Sequence, residues 1–183
     1  GLTCTVQANL DILSQEDFAK KIKMGNGVGA LVTALFANSP IFAGQPSGFQ
    51  SYRAHIWHHT DDARSGLRRF VFDTDAGYED YIEWALDVPI YFVKRDGRYI
   101  DLAGKGTFRD LNVGRISGHH AEPSDWQLHL STLFPDVRAR PHLEFRHADV
   151  VPPEAIVALP ALWKGLTYDE VACEAAWDLV KRW

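Results

Sequence analysis

The sequence predicts an α+β fold, in which a mostly antiparallel sheet carries helices packed on one face. Residues 2–11 alternate apolar and polar side chains, which is typical of a half-buried strand. An apolar stripe at helical spacing follows over residues 18–36, and Asp96-Gly97 marks the turn of a hairpin. Strands and helices do not alternate strictly along the chain. This order favours the α+β class over a doubly wound sheet.

The first helix is predicted from its cap. Ser14 with Asp17 three residues later resembles a capping box and sets the helix N-terminus. Gly25, Gly27 and Gly29 fall inside this helix, where each glycine costs about 1 kcal/mol relative to alanine. The glycines indicate close packing, a kink or a break, and the sequence leaves these alternatives open.

The later elements follow from the same periodicities. Helices are predicted over residues 49–57, 78–86 and 124–134, strands over 90–94, 99–102 and 142–147, and an irregular connection over 104–123. Pro152-Pro153 opens a further helix, which Pro160 must kink or split because proline lacks the backbone donor. A last helix is predicted from Thr167, where Glu170 completes a capping box, to the C-terminus.

Length and charge exclude several classes of protein. A chain of 183 residues with 46% apolar and 23% charged residues suits a single domain over residues 1–183. The net charge is -5 and no basic block is longer than Arg68-Arg69, which argues against nucleic acid as a partner. No apolar run approaches the roughly 20 residues of a membrane span, so no membrane association is expected.

The two cysteines, Cys4 and Cys173, are too few and too far apart for a disulfide framework or a zinc knuckle. A reducing compartment is therefore favoured, and we expect a cytoplasmic protein. The chain begins with Gly1 directly on the opening strand. We interpret this start as a processed, excised or engineered boundary, and we expect the strand to pair with a missing N-terminal portion or with another copy.

Two strands carry polar side chains on a single face. Gln7 and Asn9 point away from the apolar side of the opening strand, and Glu144 and Arg146 lie two residues apart on a late strand. An acid beside a guanidinium can bring a carboxylate to a metal ion and a cation to a phosphate. A surface ion pair on a solvated strand is the alternative, since such pairs are common and weak.

A second candidate pair lies on a predicted helix. Arg53 and Trp57 are four residues apart and therefore share a helix face. A planar guanidinium beside an indole suits the carboxylate and carbon chain of an amino acid. Burial of Trp57 in the core is the alternative.

The histidines do not predict a dedicated metal site. His58-His59 and His119-His120 are adjacent pairs, whose side chains diverge on any regular backbone. No HExxH or CxxC pattern accompanies them, and neither GxSxG nor a phosphate-binding glycine loop is present.

Seven segments make the chain recognisable. In order along the sequence they are CTVQANLD, ALFANSP, GFQSYRAHIW, ALDVPIYFVKRDGRYID, HLSTLFPDVR, HLEFRHAD and ALPALWKGLTYD. These segments resemble the plant-type glutamate–cysteine ligase family, whose members are carboxylate–amine ligases with a glutamine-synthetase-like catalytic sheet. The resemblance covers nearly the whole chain. It implies that the chain is a C-terminal-side portion of such a catalytic domain.

The resemblance implies ATP-dependent ligation of glutamate to cysteine, the first step of glutathione biosynthesis, with ATP and Mg²⁺ as cofactors. The γ-carboxylate of glutamate would attack the terminal phosphate of ATP, and the amine of cysteine would capture the acyl phosphate. Magnesium ions, carboxylates and arginines would counter the crowded negative charge. The implied roles are catalysis for Arg146 and Glu144, metal binding for Glu144, and substrate binding for Arg53, Trp57, Tyr91, Gln7 and Asn9.

The chain departs from the family pattern in two places. Family members are more than twice as long, and their glutamate-rich metal and ATP strands precede the matching segment, so this chain alone should be incomplete and inactive. Where plant-type members have roughly RGADGGPW, this chain has RHADVVPP over residues 146–153. The change alters one wall of the thiol-substrate pocket. A related amine acceptor, a non-catalytic relative that binds an amino acid or a partner subunit, and a plain structural domain are therefore alternatives.

Overall fold

The computed structural model describes residues 3–73 and 76–183, which divide into two compact units. The sheet unit contains the described residues up to Gly77 together with Pro135–Trp183. The hairpin unit contains Tyr78–Phe134. Helices and small antiparallel sheets occur together, which confirms the predicted α+β class.

The elements are short apart from the first helix. The α-helices are α1 (Gln15–Leu35), α2 (Tyr52–His58), α3 (Tyr78–Asp87), α4 (Phe108–Asn112), α5 (Pro123–Ser131), α6 (Ala158–Tyr168) and α7 (Glu170–Val180). The strands are β1 (Ala8–Asp11), β2 (Ile41–Phe42), β3 (Gln45–Pro46), β4 (Ser65–Gly66), β5 (Phe92–Arg95), β6 (Arg98–Asp101), β7 (Phe134–Pro135), β8 (Val137–Ala139) and β9 (His142–Phe145). Across the described residues, no helix combines the length and apolar character that crossing a membrane requires.

The largest sheet of the described chain has three antiparallel strands in the order β1-β9-β8. Ala8 and Val137 both pair with Phe145, and Leu10 pairs with Leu143. Side chains alternate across a strand, so these apolar residues share one face of the sheet. Leu143 and Phe145 are fully buried there.

Helix α1 packs against this apolar face through its glycines. A Cβ atom on Gly25 would lie 2.6 Å from Phe145 and 2.7 Å from Val137, and one on Gly29 would collide with the His147 ring. The helix is continuous from Gln15 to Leu35 and begins at the predicted Ser14 cap. Of the three alternatives left open for the glycines, close packing is therefore the one observed at Gly25 and Gly29.

The opening strand is shorter than the sequence predicts. Leu2 lies outside the described residues, and residues 3–7 are irregular. They are hydrogen-bonded to the segment that comes after β9 in the sequence. Thr5 Oγ donates to the Ala148 carbonyl at 2.6 Å, and the Val150 amide donates to the Cys4 carbonyl at 3.2 Å. These isolated bonds do not form a regular ladder, so pairing in β1 begins only at Ala8.

The hairpin unit contains the predicted turn and one helix that the sequence did not indicate. Asp96 and Gly97 both have positive φ, which is the geometry of a type I′ turn between β5 and β6. Helix α4 lies inside the segment 104–123, so the prediction of an irregular connection there is wrong. Thr107 and Asp110 form a capping box at its start, which stabilises a helix too short to show periodicity.

The C-terminal helices also differ from prediction. Pro160 occupies the first turn of α6, where its missing amide costs little. The prediction that the last helix begins at Thr167 is wrong, because Thr167 belongs to α6 and its hydroxyl donates to the Trp163 carbonyl at 2.7 Å. Helix α7 is instead capped by Asp169, whose carboxylate accepts from the Ala172 amide at 2.8 Å.

Candidate functional site

The face of the three-stranded sheet opposite α1 is polar. In the strand register, Asn9 on β1 and Arg138 on β8 both pair with Glu144 on β9. The three side chains therefore form a row across the sheet, because directly opposite residues lie on the same face. Asn9 is exposed, whereas Glu144 is buried with 5% of its surface accessible.

Two arginines hold the Glu144 carboxylate. Arg138 Nε donates to one carboxylate oxygen at 2.7 Å, and Arg146 Nη1 donates to the other at 2.6 Å. Burial alone would raise the pKa of Glu144, but the hydrogen bond and charge of Arg138, with those of Arg146, lower it below its ordinary value. Glu144 is therefore a fixed anion between two cations. We refer to these three residues as the arginine clamp.

Helix α2 contacts the arginine clamp through Trp57. The guanidinium carbon of Arg146 lies 5.4 Å from the centre of the Trp57 ring, within cation–π range. The amide of Arg146 also donates to the Asp136 carbonyl at 3.0 Å, which continues the ladder one residue beyond β9. The backbone and the indole together fix where Arg146 can point.

Arg53, one turn before Trp57, is buried with 4% of its surface exposed. Its Nη2 donates to the Arg146 carbonyl at 2.6 Å and its Nη1 to the His147 carbonyl at 3.4 Å, while the buried Nε has no hydrogen-bond partner. Burial lowers its pKa below the ordinary arginine value. Arg53 therefore supports the backbone after β9, and substrate binding by this residue stays a prediction.

Asp149 anchors the start of α2. One of its carboxylate oxygens accepts from the Asn38 amide at 2.8 Å and the Ser39 hydroxyl at 2.7 Å, and the other accepts from the Ser51 hydroxyl at 2.9 Å. Ser51 is also the N-cap of α2. Both oxygens are engaged in the fold, so Asp149 positions the helix that carries Arg53.

The structure brings together most of the residues that the sequence singled out. Asn9, Arg53, Trp57, Glu144 and Arg146 all belong to the sheet unit. Gln7 is half-buried just before β1 in the same unit.

Tyr91 belongs to the hairpin unit, where it is 36% exposed and its carbonyl accepts from the Leu102 amide at 2.8 Å. Its role in substrate binding stays a prediction.

Arg138 is the residue of this site that sequence reasoning missed. It alternates with Val137 and Ala139 just as Glu144 alternates with Leu143 and Phe145. That period-two pattern was the available signal. The strand itself has only three residues, and five residues separate the prolines that flank it, which leaves too little sequence to identify the strand without its partner.

The residues of the arginine clamp do not by themselves fit a magnesium site. Mg²⁺ requires carboxylate oxygens that are free to bind it, and both Glu144 oxygens accept from arginines. Within residues 3–73 and 76–183, no three His, Cys, Asp or Glu side chains are grouped so that they could hold a metal. The guanidinium groups do fit an anion such as a phosphate or a carboxylate.

Comparison with known proteins identifies the family. The model of Glutamate-cysteine ligase family 2 matches residues 1–183. The chain belongs to this family. The resemblance found in the seven sequence segments is thereby confirmed.

Curated relatives are similar along the same length. The chain is 47% identical over 184 residues to the chloroplastic glutamate–cysteine ligase of Nicotiana tabacum, covering 99% of the chain and 35% of that relative. It is 46% identical to glutamate–cysteine ligase B, chloroplastic, of Oryza sativa subsp. japonica, covering 99% and 37%. The Arabidopsis thaliana enzyme is also 46% identical, with 99% and 35% covered. This family member therefore matches little more than a third of each of these relatives.

The relatives contradict the expected location. We expected a cytoplasmic protein, but these similar ligases are chloroplastic. The expectation rested on two free cysteines, which indicate a reducing environment without specifying a compartment.

Proposed function

We propose that this family member is part of the catalytic domain of an ATP-dependent ligase that joins the γ-carboxylate of glutamate to the amine of cysteine. The product, γ-glutamylcysteine, is the first intermediate of glutathione biosynthesis. The proposal treats both compact units as portions of one larger catalytic domain. Its substrates are small molecules, namely two amino acids and ATP.

The arginine clamp is the observation that carries this proposal. Two guanidinium groups around one carboxylate leave a net positive charge on a partly desolvated face. Electrostatic attraction is stronger where water is excluded, so this face favours an anion. Glu144 keeps both arginines in fixed positions before any ligand arrives, and a preformed site avoids reorganisation during the reaction.

The chemistry requires such a face. Phosphorylation of a carboxylate places negative charge on the attacking oxygens and on the transferred phosphoryl group. Arg146 has a guanidinium oriented by Trp57 and Glu144, so we assign it the catalytic role of stabilising that charge. Arg138 forms an ion pair with the other carboxylate oxygen of Glu144, and it thereby positions the carboxylate.

The remaining residues are proposed to bind the amino-acid substrates. Asn9 is exposed on the polar face beside Glu144 and can donate or accept a hydrogen bond, and Gln7 precedes it by one pleat. Arg53 has one unpartnered donor, and Trp57 offers an indole ring that suits a carbon chain. Tyr91 is proposed as a substrate-binding residue on the resemblance alone. These assignments follow the family resemblance.

ATP and Mg²⁺ are the proposed cofactors. The guanidinium groups of the arginine clamp suit phosphate oxygens, which favours ATP. When bound, Mg²⁺ would neutralise phosphate charge. Since both Glu144 oxygens are engaged by arginines, its proposed contact with the metal requires one of these bonds to open, and we propose that further carboxylates lie elsewhere in the enzyme.

A non-catalytic relative that binds an amino acid or a partner subunit is the second candidate. The engagement of both Glu144 oxygens favours it, because a carboxylate held in this way orients arginines and does not contact a metal ion while both bonds are closed. An anion-binding face would then retain ligand affinity without turnover.

A product assay separates the two candidates. The full-length enzyme should form γ-glutamylcysteine and ADP only when glutamate, cysteine and Mg-ATP are all present, and no product should form when one is omitted. The 183-residue chain alone should show no turnover. Glutamate binding without product from the full-length enzyme would support the non-catalytic candidate and overturn the ligase proposal.

A further inference from the structure

We propose that His55 and His59 form a binding site for a divalent transition-metal ion, such as Cu²⁺ or Ni²⁺, at the C-terminal end of α2. His55 lies in α2 and His59 is the C-cap residue that follows the helix, so the two residues are four apart, about one helical turn. Their ring centres are 4.4 Å apart with planes inclined at 49°. Two imidazoles this close can direct one nitrogen each at a common ion.

The hydrogen bond of His59 leaves a ligand atom available. Its Nδ1 lies 2.8 Å from the His55 carbonyl oxygen. A carbonyl can only accept, so Nδ1 carries the proton and Nε2 of the neutral ring keeps its lone pair. Metal-binding histidines in proteins show this arrangement, in which the second ring nitrogen donates to a backbone carbonyl and sets the tautomer.

His55 is held by packing. Its ring stacks on Phe49 with centres 4.1 Å apart and an interplanar angle of 20°. Among the described residues its ring nitrogens make no hydrogen bond, so neither is already committed to another group. The ring is half-buried and that of His59 is exposed, so an ion from solvent can reach both.

The ligand set determines which metal would bind. Imidazole nitrogen suits Cu²⁺, Ni²⁺ and Zn²⁺, whereas Mg²⁺ prefers oxygen ligands. In the described parts of the chain no third His, Cys, Asp or Glu completes a group with this pair, so water would fill the other positions. Affinity should therefore follow the usual order for nitrogen sites, with Cu²⁺ tightest and Ni²⁺ and Zn²⁺ weaker.

A bound ion would stabilise the last turn of α2. The helix has only seven residues, and its C-terminal carbonyls beyond Arg53 depend on short-range bonds such as that from the His59 amide to the Ile56 carbonyl at 3.0 Å. A metal bridge between the two rings prevents this turn from fraying. His55 and His59 are each two residues from Trp57, so they lie on another face of α2 than the residue that contacts the arginine clamp, and the site shares no ligand with it.

Thermal unfolding with added metal tests the site. A concentration of free Ni²⁺ a hundredfold above its dissociation constant should raise the Tm by about 5–10 °C, because the ion binds the pair that only the folded chain assembles. His59→Gln should abolish this rise, and His55→Gln should do the same. His58→Gln is the matched control, since His58 is an exposed neighbour with its ring on another face, and it should keep the full rise.

Calorimetric titration provides the second measurement. One Ni²⁺ should bind per chain, and Cu²⁺ should bind more tightly than Ni²⁺. The binding heats of both metals should vanish in His59→Gln. The metal-free Tm of this variant should equal that of the unmodified protein. If His59→Gln folds normally and keeps the binding, or if His58→Gln loses it equally, the site is elsewhere and the proposal is wrong. Its outcome is independent of ligase activity.

Discussion

Arg138 and Glu144 face each other across two antiparallel strands, with Arg138 Nε donating to the Glu144 carboxylate at 2.7 Å. Arg146 engages the other oxygen from the same strand as Glu144. Burying a carboxylate between two cations has a large desolvation cost, and removing one partner of these ion pairs is strongly destabilising. Substitution of Glu144 should therefore destabilise the sheet.

Replacing Glu144 by glutamine should destabilise the protein by about 3 kcal/mol, because the buried carboxylate is the counter-ion of two half-buried guanidinium groups. Because glutamine has nearly the same shape as glutamate, the decrease in the free energy of unfolding measures the effect of removing the negative charge. Urea unfolding at neutral pH measures it, and Glu154→Gln, at an exposed position, is the control. Equal stability of Glu144→Gln and the unmodified protein would show that the arginines are compensated by other groups.

The Gly29→Ala substitution should be destabilising although alanine is the better helix former. The new methyl group would collide with the buried His147 ring, and overpacking costs about 1–3 kcal/mol. Gly165→Ala is the matched control, because this glycine is exposed in α6 and has open space around its Cβ position. It should stabilise the protein by roughly 0.5–1 kcal/mol. Stabilisation by both substitutions would refute the close packing of α1.

The stability of the fold should decrease in mild acid because of His147. Burial, together with the positive charges of Arg53 and Arg146 and despite the opposing charge of Asp136, lowers the pKa of His147 to about 4. Both ring nitrogens are buried without partners, so the folded protein holds the neutral ring. A lowered histidine pKa gives stability that is complete above the ordinary value of about 6.5 and is lost as the pH falls towards 4.

The expected loss from His147 is about 3 kcal/mol at most. Unfolding free energies measured between pH 7 and pH 4 should show it. His147→Leu should remove this part of the dependence, because leucine has no proton to bind. If that variant keeps the same slope, another group accounts for the acid sensitivity.

Arg53→Lys should lower the stability by about 1–3 kcal/mol. Lysine keeps the charge but has a single nitrogen, and it cannot reproduce the two donors that reach the carbonyls of Arg146 and His147. Differential scanning calorimetry checks the change, with Arg98→Lys at an exposed hairpin position as the control. An unchanged Tm would instead favour a role of Arg53 in substrate binding alone.

The sequence predicted the elements whose pattern is local. Alternation placed Asn9 and Glu144 on polar strand faces, and Ser14 identified the start of α1. The turn at Asp96-Gly97 followed from the left-handed backbone that two such residues tolerate. In each case the conformation of the element is determined by a few residues that are neighbours in the sequence.

Contacts between distant segments could not be predicted in this way. The packing role of Gly25 depends on Val137 and Phe145, more than a hundred residues later. The partner of Glu144 on β8 depends on which strands pair, which alternation does not determine. The hydrogen bonds of Arg53 to the backbone could not be predicted either, because the carbonyls that accept them belong to residues 146 and 147.

Steady-state kinetics of the full-length enzyme with Arg146→Lys test the central proposal most directly. Lysine keeps a cation beside Glu144 but loses the planar fork oriented by Trp57, so kcat/KM for γ-glutamylcysteine formation should fall by about a hundredfold or more. Arg140→Lys, at an exposed neighbouring position, should leave it unchanged. An Arg146→Lys enzyme with the kcat/KM of the unmodified protein would contradict a catalytic role for the arginine clamp.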